Sequence, residues 1–312
     1  MAKIVVTGGA GFIGSHLTRR LVKDKHQVIV IDNLCEGQAK NIKDIKNKLK
    51  FYNQDILNLK FLKKVFKGVD FVFHQAALRS VLRSVEHPLD TNRVNIEGTL
   101  NVLLASRDNK VKKVVFASSS SVYGEQKAKI LKETLCPQPL SPYALSKLTG
   151  EFYLKQFSNL YGLETISLRY FNVFGPQQDP ESDYAAVIPL FITAMLNNKR
   201  PTIHWDGKQS RDFTYIDNVV QANILAMKAK KTKGEVVNVC EEKTITINQL
   251  FKTINKILKK NIKPKRGPKR AGDVRRTKGS VNLADKILGS QAKVSFEQGL
   301  KKTIDWFKNA EK

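Results

Sequence analysis

Short apolar runs alternate with amphipathic stretches along the first half of the chain. The runs are rich in β-branched residues and predict buried strands: KIVVTG, VIVIDN, FVFHQAA, VVFASSS and ETISLRYFNV. The stretches between them have apolar residues at helical spacing: Phe12 to about Lys23, IEGTLNVLLASRDN and SKLTGEFYLKQFSNLYG. Because strands and helices alternate, the pattern predicts an α/β fold with a doubly wound parallel sheet.

The second half of the chain has a less regular pattern. It predicts helices at PLFITAMLNNK and NVVQANILAMKAK, a short strand at EVVNV, and a last amphipathic helix at VSFEQGLKKTIDWFKNAEK. The segment from Lys263 to Arg276 is rich in proline, glycine and arginine, which is typical of a loop.

Composition changes this picture in one respect, the charge. The chain has 312 residues, 41% hydrophobic and 26% charged, as in a globular protein of one large domain or two closely packed ones. Its net charge is +26. The lysines are spread along the chain without interleaved aromatic residues or a zinc-finger motif, so we expect a solvated basic surface rather than a nucleic-acid site. Such a surface also attracts anionic ligands.

The cysteines, the amino terminus and the hydropathy indicate a cytoplasmic protein. Cys35, Cys136 and Cys240 form no C-x-x-C pair, so we expect reduced thiols and neither a disulfide framework nor a metal site. The chain passes directly from Met1 into KIVVTGG, which lacks the order of regions found in a secretory signal. No apolar run reaches the length of a membrane span, so no membrane partner is expected.

A glycine-rich loop follows the first predicted strand. Residues TGGAGFIG open the first helix, and Gly11 and Gly14 complete a G-x-G-x-x-G spacing with Gly9, or a wider one with Gly8. Glycine permits the tight turn and the close approach of a pyrophosphate to the backbone at a helix amino terminus. Asp32 ends the next strand, where an acid binds the adenine ribose and repels a 2′-phosphate, so the loop predicts NAD binding.

Serine, tyrosine and lysine residues form a second candidate constellation. Tyr143 and Lys147 in SPYALSK stand four residues apart at the start of a helix and share one face. The strand VVFA ends in a run of serines beginning at Ser118, at the sheet edge where α/β enzymes place their chemistry. A nearby ammonium favours the phenolate, and a serine hydroxyl can relay a proton, so the set suits oxidation of a secondary alcohol.

The chain resembles the nucleotide-sugar epimerases of the extended short-chain dehydrogenase/reductase family over nearly its whole length. The motifs that carry the resemblance occur in order: TGGAGFIGSHL, HQAA, VNIEGT, SSSSVYG, SPYALSK, RYFNVFGP, SRDFTYIDN and GDVRRTKGSVNLAD. QQDPESDYAAVIP and GDVRRT are most similar to the UDP-N-acetylglucosamine and UDP-glucose 4-epimerase branch. The resemblance implies a Rossmann-type sheet with a smaller C-terminal substrate-binding domain.

The resemblance also implies a mechanism. Tyr143 would take the proton of the sugar 4-hydroxyl while hydride passes to NAD, and the 4-keto sugar would rotate before hydride returns to its other face. Ser119 matches the catalytic serine, and Lys147 would lower the pKa of Tyr143 and bind the nicotinamide ribose. The implied cofactor-binding residues are Gly8, Gly11, Phe12, Ile13, Gly14, Asp32, Asn33, Asp55, Ile56, Gln75, Ala76, Asn95, Tyr143, Lys147 and Tyr170.

On the substrate side the resemblance implies a site for a UDP-sugar. The matching residues are Ser119, Ser120, Tyr143, Asn172, Ala186, Val187, Arg211, Arg270, Arg275 and Thr277. Arginine suits a diphosphate because its planar fork donates two hydrogen bonds at once. Thr277 is small where some relatives have a bulky tyrosine that excludes a 2-N-acetyl group, so we expect N-acetylated sugars to be accepted.

Several alternatives share these motifs. A 4,6-dehydratase would need an acid pair where the chain has Ser120 and Ser121. A UDP-glucuronate 4-epimerase or decarboxylase would need a group for the sugar carboxylate, which the sequence does not locate. A non-catalytic NAD(P)-binding sensor remains as an alternative of another class, although Ser119, Tyr143 and Lys147 argue against it.

The resemblance further implies an arrangement of domains and subunits. Residues 1–170 plus about 216–240 would form the NAD-binding domain, and about 171–215 plus 241–312 the nucleotide-sugar-binding domain. A homodimer is expected through the helices NIEGTLNVLLASRD and SKLTGEFYLKQFSNLYG.

Overall fold

A parallel sheet of seven strands forms the centre of the part of the chain that the structure describes. The structure is a computed structural model and describes residues 1–181, 185–269, 274–289 and 294–310. The strands are β1 Lys3–Thr7, β2 Gln27–Ile31, β3 Lys50–Tyr52, β4 Phe71–His74, β5 Lys113–Ser119, β6 Glu164–Tyr170, β7 Val173–Phe174, β8 Thr202–His204, β9 Ser210–Arg211, β10 Thr214–Tyr215, β11 Lys233–Val239, β12 Ile245–Thr246 and β13 Lys265–Gly267. The central sheet has the order β11-β6-β5-β4-β1-β2-β3, and the order reverses between β1 and β4.

Helices cover both faces of this sheet. They are α1 Phe12–Lys23, α2 Leu59–Val65, α3 Val81–Glu86, α4 Pro88–Asn92, α5 Gly98–Asp108, α6 Pro142–Tyr161, α7 Val187–Leu196, α8 Ile216–Lys228, α9 Ile247–Leu258, α10 Asn282–Leu288 and α11 Phe296–Ala310. Alternation along β1 divides the core, because Ile4 and Val6 pack toward Leu17 of α1 whereas Val5 packs in the layer of Leu103 and Leu154. The predicted doubly wound α/β fold is therefore confirmed.

Strand β11 returns to the central sheet after a long excursion. It pairs in parallel with β6, with Val237 opposite Leu168. Between β6 and β11, and again after β11, the chain forms short two-stranded pairs, β10 with β7, β12 with β9, and β13 with β8. Helices α7 and α9 pack against each other there through Phe191 and Phe251. These segments form a layer at the carboxyl end of the sheet, and the domain division predicted above remains a proposal.

The loop predicted from Lys263 to Arg276 is wrong in its first part. β13 lies inside this segment and pairs in parallel with β8. Backbone pairing needs no apolar pattern, so a short strand between Pro264 and Pro268 leaves no periodicity in the sequence. Residues 270–273 of the segment lie outside the described residues. Within the described ranges, no helix is both long and apolar enough to cross a membrane.

Candidate active site

A first cavity opens at the carboxyl ends of β1, β2 and β4, where the strand order reverses. This is where open α/β sheets bind their ligands. Its lining includes every predicted cofactor residue except Asn95: Gly8, Gly11, Phe12, Ile13, Gly14, Asp32, Asn33, Asp55, Ile56, Gln75, Ala76, Tyr143, Lys147 and Tyr170.

The glycine loop forms the floor of the first cavity. Gly8 has a φ of 69°, and a Cβ added there would lie 2.6 Å from the backbone nitrogen of Ala76. A Cβ on Gly14 would overlap the carbonyl oxygen of Gly8. Gly9 instead faces Val30 behind the loop, so the wider-spaced glycines, Gly8, Gly11 and Gly14, are those that line the cavity. The loop leaves room for a pyrophosphate at the amino terminus of α1, which fits a dinucleotide.

Asp32 and its neighbours form the far end of the first cavity. The Asp32 carboxylate accepts the N–H groups of Ala10 and Leu34, each at 2.9 Å. Burial raises the pKa of Asp32, and these N–H groups oppose the rise. Asn33 donates to Asp55 at 2.8 Å beside it. Asp32, after β2, therefore has the position of the acid that binds the adenine ribose in NAD sites.

Helix α6 brings Tyr143 and Lys147 to the opposite wall. The Ser141 hydroxyl caps the helix by accepting the N–H of Ala144 at 3.1 Å, and Pro142 occupies the first turn. Tyr143 therefore lies in the first turn, and Lys147 one turn later donates to the Ala117 carbonyl at 2.8 Å. Ser119 ends β5 and is close enough to Tyr143 to lower the pKa of its phenol. The structure thus brings the three predicted catalytic residues together.

Burial dominates the ionisation of this group. It raises the pKa of Tyr143, while the Ser119 hydrogen bond and the charge of Arg79 lower it. Burial also lowers the pKa of Lys147 to about 7. The Lys147 ammonium lies 5.9 Å from the centre of the Tyr143 ring. The expected lowering of the Tyr143 pKa by Lys147 stays a prediction, and in the chain itself Ser119 and Arg79 are the groups that oppose burial.

Two further cavities continue the cleft away from the first. The second shares Phe12, Ile13 and Tyr143 with the first, and its lining includes the predicted substrate residues Ser119, Ser120, Asn172, Arg211 and Thr277. The third shares Asn172 and Arg211 with the second and is lined by Ala186 and Val187. The three cavities adjoin in sequence, so one long ligand beside Tyr143 can extend from the second into the third.

Two predicted residues, Asn95 and Arg275, lie outside the cavity linings, and a third is not among the described residues. Asn95 is buried behind the wall, where its amide bonds both the N–H and the carbonyl of Leu78 and donates to Ser146 of α6. Arg275 lies outside the three cavity linings, pairs with Asp206 at 2.9 Å, and stacks at 4.6 Å on Trp205. Arg270 lies outside the described residues. A direct ligand contact of any of these three remains a prediction.

Arg79 and Gln178 are among the residues that line the cleft although the sequence did not indicate them. Arg79, four positions after the Gln75 of HQAA, borders the first and second cavities and pairs with Glu36 at 3.3 Å. Gln178 borders the second and third cavities and is 6% exposed. In the described part of the chain its Oε1 has no hydrogen-bond partner. The neighbouring motifs HQAA and QQDPES were the available signals for them.

The described residues contain no group of three or more His, Cys, Asp and Glu side chains that could hold a metal ion.

Comparison with known proteins agrees with this geometry. The sequence profile of the NAD dependent epimerase/dehydratase family matches residues 4–240. The structure of a UDP-N-acetylglucosamine 4-epimerase from Methanobrevibacter ruminantium, in complex with UDP-N-acetylmuramic acid, has a TM-score of 0.95 at 43% identity, covering 99% of each chain. UDP-glucose 4-epimerase from Thermotoga maritima, with UDP-glucose, has a TM-score of 0.95 at 39% identity, covering 99% of this chain and 100% of the other.

A UDP-glucuronate 4-epimerase from Thermodesulfobacterium geofontis is 35% identical over 318 residues, covering 99% of this chain and 97% of the relative. The family expected from the motifs is thereby confirmed, as is its cofactor. The chain belongs to the NAD dependent epimerase/dehydratase family, and its cofactor is NAD.

Proposed function

We propose that the protein is a UDP-sugar 4-epimerase that works through a transient 4-keto sugar. The observation that carries this proposal is the position of Tyr143, which borders both the first and the second cavity and lines the second together with Ser119. A phenol between a dinucleotide cavity and a substrate cavity is placed to exchange a proton with a substrate hydroxyl beside the cofactor.

The residues of the chain divide the proton chemistry among themselves. NAD, held by the glycine loop and Asp32, would supply a hydride acceptor and donor. Tyr143 takes the proton from the sugar 4-hydroxyl and later returns it. Ser119 donates a hydrogen bond to the same oxygen and holds the phenol in place. Lys147, anchored on the Ala117 carbonyl, would bind the nicotinamide ribose and, when protonated, would supply a cation there.

The substrate residues suit a nucleoside diphosphate. Val187 and Phe191 line the third cavity, and their apolar side chains can pack against the faces of a pyrimidine ring. Arg211 borders both the second and the third cavity, where the diphosphate of a UDP-sugar would lie between base and sugar. A UDP-sugar that lies along this course brings its sugar to Tyr143.

We further propose that the cleft accepts N-acetylated sugars. Thr277 borders the second cavity and is small, and the Gln178 Oε1 atom at the same cavity has no hydrogen-bond partner among the described residues. That oxygen can accept a sugar hydroxyl or the N–H of an acetamido group. Both UDP-N-acetylglucosamine with its galacto epimer and the plain pair, UDP-glucose and UDP-galactose, would then be substrates.

A second candidate substrate is UDP-glucuronate. Arg79 is the observation that favours it, because its guanidinium borders the second cavity close enough to Tyr143 to lower the pKa of the phenol. The same charge can pair with a sugar carboxylate. Epimerisation or decarboxylation of this sugar would follow from the same oxidation at C4.

The test is a coupled assay of the purified protein with UDP-glucose, UDP-galactose, their N-acetylated forms and UDP-glucuronate, first without added NAD. Interconversion of the N-acetylated pair, lost in Tyr143→Phe and kept in Tyr161→Phe at an exposed position of α6, is the expected result. Turnover of UDP-galactose without UDP-N-acetylglucosamine contradicts the open pocket at Thr277. Turnover of UDP-glucuronate alone favours the second candidate. No turnover of any of the five, with NAD bound, favours a non-catalytic sensor.

We also propose a homodimer, with α6 at its centre. Leu145, Phe152 and Leu160 of this helix are more than half exposed, at 52%, 61% and 68%. Val85 and Leu89 of the neighbouring α3 and α4 are exposed at 61% and 82%. Apolar side chains so close together are typical of a subunit interface. Leu100 and Leu104 of α5, the other helix expected at the interface, are partly buried.

The cytoplasmic location stays a prediction.

A further inference from the structure

Asp212 lies behind the substrate cleft where separate chain segments meet. It follows β9 directly and is 0% exposed. Its Oδ1 accepts the N–H of Glu241 at 2.9 Å, and its Oδ2 accepts the N–H of Gly279 at 3.2 Å. One carboxylate therefore ties the end of β11 to the segment that precedes α10.

The backbone of Asp212 extends these contacts to the cleft. Its N–H donates to the Thr277 hydroxyl at 3.4 Å, and its carbonyl accepts the amide N–H of Asn172 at 3.3 Å. The Asn172 amide also donates to the Thr277 hydroxyl at 3.3 Å. Asn172, Arg211 and Thr277 border the second cavity, whereas Asp212 is absent from its lining.

The environment of Asp212 is costly for a charge. Burial raises its pKa to about 7, and the Glu241 carboxylate acts in the same direction, while the N–H groups of Glu241 and Gly279 oppose it. A buried carboxylate destabilises a fold unless its hydrogen bonds compensate. The side chain is thus a poor choice for packing alone. It holds Gly279, two residues after Thr277, while the backbone of Asp212 contacts Thr277 and Asn172 at the cleft.

We propose that Asp212 is a positioning residue, which holds Asn172, Arg211 and Thr277 in the arrangement that binds the sugar nucleotide without contacting the ligand itself. This inference rests on the proposed function. Backbone hydrogen bonds of Ser210 with Arg275 and Thr277 join the strand that carries Arg211 to the segment that carries Thr277, and the Asp212 side chain fixes the same segment at Gly279. Loss of this arrangement weakens substrate binding and leaves the cofactor cavity unchanged.

The test compares two carboxylate-to-amide variants. Asp212→Asn keeps the side-chain shape but sets an amide NH₂ against one of the two N–H donors. We expect KM for the UDP-sugar and Kd for UDP alone to rise about tenfold, with kcat changed less than about threefold and bound NAD retained. The control is Glu133→Gln, because Glu133 also accepts a β11 N–H, that of Asn238 at 2.8 Å, away from the cleft. It should lose stability without a change in KM.

Unchanged KM and UDP affinity in a folded Asp212→Asn protein overturn the proposal. A parallel fall in kcat, NAD content and stability overturns it too, because a general structural role would produce that pattern. If the variant does not fold, Thr277→Val decides: a KM raised about threefold supports the proposal, and an unchanged KM overturns it. If UDP binding depends on Asp212 but the protein turns over no UDP-sugar, the proposed function is overturned and the role of Asp212 is not. Failure of the wild-type protein to bind UDP overturns both.

Discussion

Lys147 is a buried amine that borders the first cavity, and its burial lowers the stability of the folded chain. It is 4% exposed and lies between the Ala117 carbonyl at 2.8 Å and the ring of Phe116 at 4.9 Å. Burial lowers its pKa from 10.5 to about 7. Below pH 7 the folded and unfolded chains both hold the proton, so the burial cost is fully present. Between about pH 7 and 10.5 the folded chain releases it first, and stability rises with pH.

Replacement of Lys147 by methionine should therefore stabilise the protein in a pH-dependent way. We expect Lys147→Met without NAD to gain about 2 to 4 kcal/mol at pH 6, and the gain to shrink toward pH 10. The measurement is thermal unfolding from pH 6 to pH 10, with Lys155→Met at an exposed position of α6 as the control. A gain that does not vary with pH would show that Lys147 keeps its proton in the folded chain.

Asp32 should set the choice between NAD and NADP. Its carboxylate is fixed by the N–H groups of Ala10 and Leu34, so it cannot turn away from a 2′-phosphate. We expect Asp32→Asn to lower the ratio of NAD affinity to NADP affinity by at least about tenfold, because the neutral amide does not repel the 2′-phosphate of NADP. Titration of both dinucleotides measures the ratio. Asp55→Asn, in the same cavity, should leave it unchanged, and an equal change in both variants contradicts the assignment.

A single residue could be predicted to line the cleft where it belongs to a short sequence motif. Gly8, Tyr143 and Lys147 have fixed neighbours in the sequence, and the structure places them on the first cavity. Arg79 and Gln178 reach the cleft through loops whose course depends on distant contacts, such as the hold of Asn95 on Leu78. Arg275 belongs to the GDVR motif but lies outside the cavity linings, because it pairs with Asp206. The motif alone does not predict this ion pair.

Among the elements, α6 depends on a buried ion pair. Glu151, one turn after Lys147, accepts Arg169 of β6 at 2.9 and 2.7 Å, and both side chains are 3% exposed. Ser118 at the end of β5 donates to the same carboxylate. The pair therefore fixes the active face of α6 against the two strands that carry Ser119 and Tyr170.

Removal of one charge from this pair should be far more costly than removal of an exposed one. We expect Glu151→Gln to lower the free energy of unfolding by about 3 to 5 kcal/mol, because Arg169 would remain buried and uncompensated. The double variant Glu151→Met with Arg169→Met should recover most of the loss. Asp217→Asn, which breaks an exposed pair with Lys302, should cost less than about 1 kcal/mol. Denaturant unfolding measures all three, and equal losses in the first and last would refute the argument.

The elements that the sequence predicted are those with a long apolar pattern. β1 and β5 were predicted because their apolar residues alternate between the two core layers, and α6 because Leu154 and Phe157 on one of its faces pack into one of these layers. β13 and the two-residue strands gave no signal, since they are held by backbone pairing and by side chains distant in the sequence. The missing part of the prediction is therefore the small layer that covers the cleft.

For the whole molecule, the net charge of +26 should act on substrate encounter. A UDP-sugar is an anion, and a positive surface raises its rate of association without changing the bound state. We expect kcat/KM to fall about tenfold between about 0.02 M and 0.5 M salt, with kcat nearly constant. Steady-state kinetics over this range test it. A kcat/KM that does not depend on salt would mean that the charges do not steer the substrate.

The exposed apolar face of α3, α4 and α6 should hold two chains together. α3 and α4 both pack beside α6, so their exposed side chains and Phe152 form a continuous surface. We expect light scattering of the wild-type protein to give about twice the 35.2 kDa of one chain, and Phe152→Glu with Leu160→Glu to give one chain. Lys301→Glu, on α11 far from this surface, should stay dimeric. A wild-type monomer at micromolar concentration contradicts the dimer. Because α6 also carries Tyr143 and Lys147, a monomeric variant with lowered kcat and unchanged unfolding temperature would mean that the interface steadies the catalytic helix.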